Sequence, residues 1–493
     1  MSDVHNHMLA GHNHAPAQLG HILILGLGKS GKAACTYCAQ LIGSRIDSVS
    51  VAVGKPSADT QEYIASLKNA SIDVLSPGYD IEGSYDLCIA SPGISQFSEF
   101  YQDAQNASTE LISEVEFAWR ESKTTSTWIA ITGTNGKTTT TALVTHILRA
   151  AGKRASAVGN IGTTCLEAVM QNQSDIYVAE VSSYQLASTR LFAPNIAMLL
   201  NITPDHLSWH TSHEEYIKAK LKVFSNLAQH AHSYAIIDAT GNESRAVVKR
   251  IKSQLFESED FSYIPIGGSS GLHTDMRKAC SAKNAAFEKE EMLCLAFGDT
   301  EYFFGPLEKL RIKGTHNAAN ALAACAAALV LNLEESVINE ALQSFAPLEH
   351  RMEECGSIAG VQFVNDSKAT NVDAACKALG AFVGKKPIVL LGGQDKGTDL
   401  SALVSEAEKQ AKTVICYGQA GKRIYEAFKA CNVARFLDAN LEEAFLRATH
   451  NACAGDVVLL SPACASFDEF ESFEHRGRAF KELVRKRSTD CGG

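Results

Sequence analysis

No apolar run in this 493-residue chain reaches the roughly 18 residues that a helix needs to cross a bilayer. The opening residues, MSDVHNHMLAGHNHAPAQ, lack the basic start and apolar stretch of a secretory leader. A cytoplasmic protein without membrane insertion is therefore expected. No block of basic residues occurs, and 45 Lys+Arg against 55 Asp+Glu leave a net charge of −10, which argues against a nucleic-acid partner. The 14 cysteines include one short-spaced pair, Cys35 and Cys38, but no matching second pair. Reduced thiols are expected, and neither a disulfide framework nor a structural zinc site. The chain is 45% hydrophobic and 20% charged, the balance of a globular protein, and its length suits about three domains.

What is present centres on Trp128-Ile-Ala-Ile-Thr-Gly133-Thr134-Asn135-Gly136-Lys137-Thr138-Thr139. A short apolar strand, a glycine turn, a lysine and a following helix make a phosphate cradle. Backbone N–H groups and the helix N-terminus face the anion, Lys137 adds charge, and the Thr138 hydroxyl can bind Mg²⁺. The usual GxxxxGK[ST] spacing is not met, because Ile131 stands where the first glycine would be. Phosphate transfer needs a metal. Thr138, Glu180 (ending the apolar run Ile176–Glu180) and His206 (after Ala197–Ile202) are candidate ligands on one sheet edge. A packed polar role is the alternative for His206.

Upstream, Gly26-Leu-Gly28-Lys29-Ser30-Gly31 follows an apolar run and resembles a dinucleotide turn. The next strand, 48–53, ends without the acidic residue that would hold a ribose; Val53 and Lys55 stand there instead. A nucleotide diphosphate near the turn is favoured over NAD, and Ser91 lies in a second loop at the same edge. Downstream, Asn317 and Asn320 share a helix face, with helix capping as the alternative. Polar loops at His350-Arg351, Asp366-Ser-Lys368-Ala-Thr370, Lys396 and Ser466-Phe467 follow short apolar runs and alternate with helical segments. The fold class read from this is α/β in three domains. A Rossmann-like N-terminal domain spans 20–121, a P-loop-type mononucleotide-binding domain 122–347, and a Rossmann-like C-terminal domain 348–493. Residues 1–19, with His5, His7, His12 and His14, are expected to be a disordered tail rather than a metal site.

Gly133-Thr-Asn-Gly-Lys-Thr138, Glu180-Val-Ser-Ser-Tyr-Gln-Leu186, Asp205-His206, His316-Asn-Ala-Ala-Asn320, His350-Arg351 and Asp366-Ser-Lys-Ala-Thr-Asn371, in that order, resemble the ATP-dependent Mur ligases of peptidoglycan synthesis. The C-terminal loops resemble the branch of that family that adds D-glutamate to UDP-N-acetylmuramoyl-L-alanine. The resemblance implies that ATP phosphorylates a carboxylate and that the amine of D-glutamate displaces phosphate. It implies ATP contacts at Gly133, Thr134, Asn135, Gly136, Lys137, Thr138, Thr139, Asn317, Asn320, Arg351 and Asp366. Two Mg²⁺ ions, with Mn²⁺ as a substitute, would be held by Thr138, Glu180, His206 and a carbamylated Lys220, with Lys218 and Lys222 as alternatives for the carbamate. Lys137, Glu180, His206 and Lys220 would carry catalysis. Gly28, Lys29, Ser30, Ser91, Asn160 and Ser182 would meet the UDP substrate. Lys368, Thr370, Lys396, Ser466 and Phe467 would grip D-glutamate, with Phe473 closing the pocket. A monomer is expected. Competing readings are a ligase for another amino acid, a folylpolyglutamate synthase-like ligase, and a nucleotide-binding oxidoreductase; the last leaves Lys137, Glu180 and His206 unexplained.

Overall fold

The computed structural model describes residues 8–54, 58–67, 70–75, 81–230, 232–239, 261–267, 271–275, 277–280, 282–312, 314–382, 384–395 and 397–491. They fall into two compact units, Met1–Leu310 with Ala318–Ser344, and Arg311–Asn317 with Phe345–Gly493.

The first unit holds two sheets. Strands β1 (Gly20–Leu25), β2 (Ile46–Ala52), β3 (Ile72–Val74), β4 (Tyr85–Ala90) and β5 (Ser108–Ser113) form a parallel sheet in the order β3-β2-β1-β4-β5. Its central strand, with Ile22 to Leu25 fully buried, is apolar on both faces, as a sheet covered on both sides requires. Strand order reverses between β1 and β4, where ligands collect in open α/β sheets. Helix α1 (Lys29–Ala39) starts there without a side-chain cap. A Cβ on Gly31 would collide with the Gly26 carbonyl, so glycine is what lets the helix approach the turn.

Helix α2 (Glu114–Glu121) leaves this sheet with every residue buried. Four charged side chains inside a core are costly unless paired. Arg120 donates to Glu110 at 2.7 and 2.8 Å and to Glu116, while Glu116 also accepts from the Arg190 and Leu191 amides. Glu121 accepts from Arg45 at 2.6 and 2.9 Å and from Tyr37 at 2.5 Å. Glu114 accepts from the Leu166 amide at 2.6 Å, and burial, opposed by the Leu166 and Cys165 amides, pushes its carboxyl up to about 7.

The disordered tail expected over 1–19 is corrected for the described residues 8–19. Asn13 is buried and donates to Ser122 Oγ and the Lys123 carbonyl, His12 meets the Glu121 carbonyl at 2.7 Å, His14 stacks on Trp119, and Ala15 is fully buried. The polar composition suggested disorder because the partners, at the end of α2, lie more than a hundred residues away.

The second sheet runs β14-β13-β12-β11-β10-β9-β6-β8-β7. Its parallel part is β6 (Thr127–Thr132), β7 (Ala155–Gly159), β8 (Ile176–Glu180), β9 (Ile196–Leu199), β10 (Ser233–Asp238), β11 (Phe261–Ile266) and β12 (Asn284–Lys289). β13 (Met292–Phe297) and β14 (Thr300–Phe304) extend it antiparallel. Helix α3 (Lys137–Ala150) starts at Lys137 itself, because Gly136 adopts a left-handed φ of 86° as its N-cap and Thr139 to Thr141 pack inside. Helix α4 (His213–Leu221) gives way to 3₁₀ turns at Lys222–Phe224 and Leu227–Gln229. Helix α5 (Thr315–Val330) carries the Ala-rich segment.

The second unit has the sheet β15-β16-β20-β17-β18-β19. β16 (Val361–Asn365), β17 (Ile388–Gly392), β18 (Thr413–Tyr417), β19 (Ala434–Leu437) and β20 (Val457–Ala463) are parallel, and β15 (Glu353–Ile358) joins the edge antiparallel. Helix α6 (Phe473–Cys491) closes the chain and buries Phe480 and Val484 against the sheet.

Candidate active site

Three parallel strands of the second sheet end together around the glycine loop. β6 lies between β8 and β9, so the loop 133–136, Glu180 and the segment 200–206 share one edge. Asn201 clamps the loop: its Oδ1 accepts from the Asn135 amide at 2.8 Å and its Nδ2 donates to the Asn135 carbonyl at 3.0 Å. Thr134 is buried; its Oγ1 bonds Tyr216 Oη at 2.8 Å and accepts from the Thr203 amide. A Cβ on Gly136 would collide with Asn320 Oδ1, which places that buried asparagine against the loop. Thr138 is half-buried in the first turn of α3, and Thr139 is buried.

Two lysines converge on one carbonyl. Lys137 Nζ donates to Gly133 O and Thr134 O, both at 2.9 Å, and Lys220 Nζ donates to Gly133 O at 2.8 Å. Lys220 is 1% exposed and lies over the Tyr216 ring, 4.7 Å from its centroid. Burial, and then the charge of Lys137, hold its ammonium well below the usual lysine range, against the opposing pull of Asp205 and Glu180. Burial of this kind disfavours the charged ammonium form. Lys218 is exposed and paired with Glu214 and Glu215, while Lys222 donates to the carbonyls of Ala187 and Thr189. Of the three lysines, Lys220 is the one that reaches the loop.

Glu180 is buried. Its Oε1 accepts from Asn160 Nδ2 at 2.8 Å, and its Oε2 has no hydrogen-bond partner among the described residues. A sealed carboxylate oxygen left unmatched is expensive, and a hard cation with oxygen ligands would satisfy it. A carboxylate, a hydroxyl and an imidazole are donors that suit Mg²⁺, and Glu180, Thr138 and His206 would supply them from this sheet edge. His206 stands at a left-handed φ of 57° at the start of the short helix Leu207–His210. Its Nδ1 meets Tyr184 Oη at 2.7 Å and its Nε2 faces Asp205 Oδ2 at 3.6 Å. Ser182 caps the helix Ser183–Ala187 through a reciprocal bond with Gln185. His210, fully buried, bonds Ser183 Oγ, and burial followed by the charges of His206 and Lys220 depresses it to about 4.

The β1–β4 edge is a separate place in the same unit. Ser91 Oγ donates to the Gly26 carbonyl at 3.1 Å, and Gly28, Lys29 and Ser30 open α1 beside it. Val53 directly follows β2; Lys55 lies outside the described residues.

In the second unit, Asp366 at the end of β16 accepts from Ser461 Oγ at 2.8 Å and from the Met352 amide; burial, opposed by Ser461 and Arg351, pushes it up to about 7. Lys368 Nζ lies 3.7 Å from the centroid of the Phe473 ring, a cation–π contact. Thr370 is half-buried, Ser466 is buried, and Phe467 is 65% exposed, so its ring packs against nothing in the core. Asn317 is buried in the first turn of α5. Lys396 lies outside the described residues. Arg476 was given no role by the sequence. Fully buried, it donates to Ser367 Oγ, Ser367 O, Ala465 O and Cys464 O at 2.9 to 3.1 Å, tying the 366–368 loop to the 463–466 loop. Its register with Phe473, Phe480 and Val484 on α6 was the available signal. Tyr216 and Tyr184 were also missed as site residues, since their contacts span distant segments.

Fold and site together define an α/β protein in which a glycine loop opens a helix at the end of a parallel strand, beside the buried carboxylate of Glu180. The Mur ligase middle domain is matched over residues 131–328, and the Mur ligase, glutamate ligase domain over 350–464. The chain is 38% identical to UDP-N-acetylmuramoylalanine--D-glutamate ligase of Koribacter versatilis (strain Ellin345), over 94% of this chain and 97% of that protein. It is 37% identical to the ligase of the same name from Alkaliphilus metalliredigens (strain QYMF), over 87% and 91%. Among solved structures, MurF from Acinetobacter baumannii aligns with a TM-score of 0.58 at 17% identity, covering 94% of this chain and 93% of that one. A pseudomurein peptide ligase type C from Methanothermus fervidus aligns at 0.56 and 18%, covering 94% and 99%. The chain belongs to the Mur ligase family.

Proposed function

We propose that this protein joins D-glutamate to UDP-N-acetylmuramoyl-L-alanine at the expense of ATP, as a cytoplasmic monomer acting in peptidoglycan precursor synthesis. The observation that carries this reading is the likeness to D-glutamate ligases over nearly the full chain. The three segments 20–121, 122–347 and 348–493 would serve the UDP substrate, ATP and the amino acid in turn.

A carboxylate is a poor electrophile, and phosphorylation gives it a leaving group. The loop 133–138 would hold the phosphates through its amides, with Lys137 turned from the carbonyls it now caps toward the moving phosphoryl group. Asn320 would fix the loop for nucleotide. Asn160 and Ser182 would meet the substrate near its reacting carboxylate, and Gly28, Lys29, Ser30 and Ser91 its UDP. Mg²⁺, when bound by Glu180, His206 and Thr138, would neutralise phosphate charge. Lys220, whose ammonium form burial disfavours, suits reaction with carbon dioxide: its amine nitrogen would bond the carbon and release a proton to solvent, and the carbamate would replace a cation with an anionic ligand. Arg351 and Asp366 would address the nucleotide. Lys368, Thr370, Lys396, Ser466 and Phe467 would bind the two carboxylates of D-glutamate under Phe473.

The test is phosphate release from ATP with UDP-N-acetylmuramoyl-L-alanine and Mg²⁺, adding D-glutamate, L-glutamate, L-alanine or L-lysine in turn. D-glutamate should stand clearly above the rest. Equal release with all four would remove the substrate assignment.

A further inference from the structure

Tyr184 has no part in the chemistry described so far, yet it is held on two sides. Its backbone lies in the helix Ser183–Ala187, whose first turn is locked by the Ser182–Gln185 capping box. Its ring stacks on Trp209, with centroids 4.5 Å apart and planes 23° from parallel. Across from it, His206 keeps a left-handed backbone, a conformation that a non-glycine residue holds only when its surroundings impose it. Two contacts impose it here. The His206 amide donates to Asp205 Oδ1 at 2.8 Å, and the ring meets Tyr184 Oη through Nδ1 at 2.7 Å. The two ring nitrogens of a histidine are not equivalent, and the partner of one decides what the other offers. Histidines that bind metals commonly donate their second N–H to an acceptor that fixes tautomer and ring plane.

We propose that Tyr184 is a positioning residue: its phenol oxygen accepts the Nδ1–H of His206 and thereby presents Nε2, on the side of Asp205, to the divalent cation. This rests on the cation site read above. The hydroxyl is the active part and the ring is its support, since the ring is anchored by Trp209 rather than by the imidazole alone. Phenylalanine at this position would keep the stack and lose the acceptor.

Mn²⁺ binding to the full chain, followed by the EPR signal of free Mn²⁺ without nucleotide, separates the two ideas. His206→Ala and Glu180→Gln should weaken binding. Tyr184→Phe should unfold at the wild-type temperature and bind Mn²⁺ about tenfold or more weaker, the usual effect of removing such a partner. If Tyr184→Phe binds as wild type while the other two weaken, the role of Tyr184 falls and the cation site stands. If none of the three changes affinity, both fall. A readout that needs no Tyr184 variant is the imidazole ¹⁵N spectrum of histidine-labelled wild-type protein with Mg²⁺, with His206 assigned by its loss in His206→Gln. A ring protonated at Nδ1 is expected; protonation at Nε2 would overturn the proposal.

Discussion

Replacing Arg476 by methionine should loosen the second unit and spare the first. The side chain is fully buried and its guanidinium meets four oxygens, three of them main-chain carbonyls, at Ser367, Cys464 and Ala465. Methionine fills similar length with no donor, so the Ser367 and Cys464 carbonyls lose the guanidinium where water is excluded, while Ala465 O keeps the Gln394 amide at 2.8 Å. An unmatched buried polar group costs roughly 1–3 kcal/mol. The Ser367 hydroxyl keeps the bond it donates to Phe473 O, and the loops can relax, so the sum over the two carbonyls should fall near the lower end, about 2–4 kcal/mol. Chain position offers a clean assay. All three tryptophans, Trp119, Trp128 and Trp209, lie in the first unit, so their fluorescence in urea reports that unit, whereas far-ultraviolet circular dichroism reports both. The dichroism midpoint of Arg476→Met should move to lower urea ahead of the fluorescence midpoint. Because Arg476 joins the 366–368 and 463–466 loops, KM for D-glutamate should rise about tenfold or more, equivalent to about 1.4 kcal/mol, with KM for the UDP substrate little changed. Unchanged dichroism and an unchanged KM for D-glutamate would refute the role given to this arginine.

Glu114 should make the first unit less stable as pH rises. Its folded carboxyl stands at about 7 against 4.5 in the free state, so the folded chain binds the extra proton, and the stability present below 4.5 is lost as pH climbs through about 7. The loss is at most about 3 kcal/mol, and the difference in melting temperature between wild type and Glu114→Gln should follow that window; a difference independent of pH would refute it. Lys220→Ala should abolish turnover, with partial recovery on adding short carboxylates such as formate or acetate; full turnover without them would remove the carbamate assignment.

The sheets were legible because parallel strands buried on both faces read as continuous apolar runs, as at Ile22–Leu25, Ile129–Ile131 and Ile388–Leu391. Polar residues closing other such runs, Ser91 after β4, Glu180 at the end of β8 and Asp366 after β16, could be placed at sheet edges for the same reason. What periodicity could not carry was contact between distant segments. Asn13 finds Ser122, and Tyr216 finds Thr134 82 residues away; no local pattern encodes either. Arg476 was hidden differently. It lies in a helix full of charge, and only its phase with Phe480 and Val484 marks it as inward-facing.

The absent first glycine of the phosphate loop has a physical counterpart. A glycine at Ile131 would begin the turn there. Instead Ile131 continues β6, buried and in register with Glu180, and its carbonyl accepts from the Val181 amide at 2.9 Å. The turn begins two residues later, and the same pairing fixes the level at which Glu180 leaves β8. The short loop and the position of the buried carboxylate are thus one feature. Gly133 supplies a carbonyl to both Lys137 and Lys220, and Glu180 and Asp205 oppose the charge that gathers there. Lengthening the loop by a glycine turn at Ile131 would cut the pairing that sets Glu180 level with it, so the departure from the common spacing is what brings the buried Glu180 carboxylate up to the glycine loop.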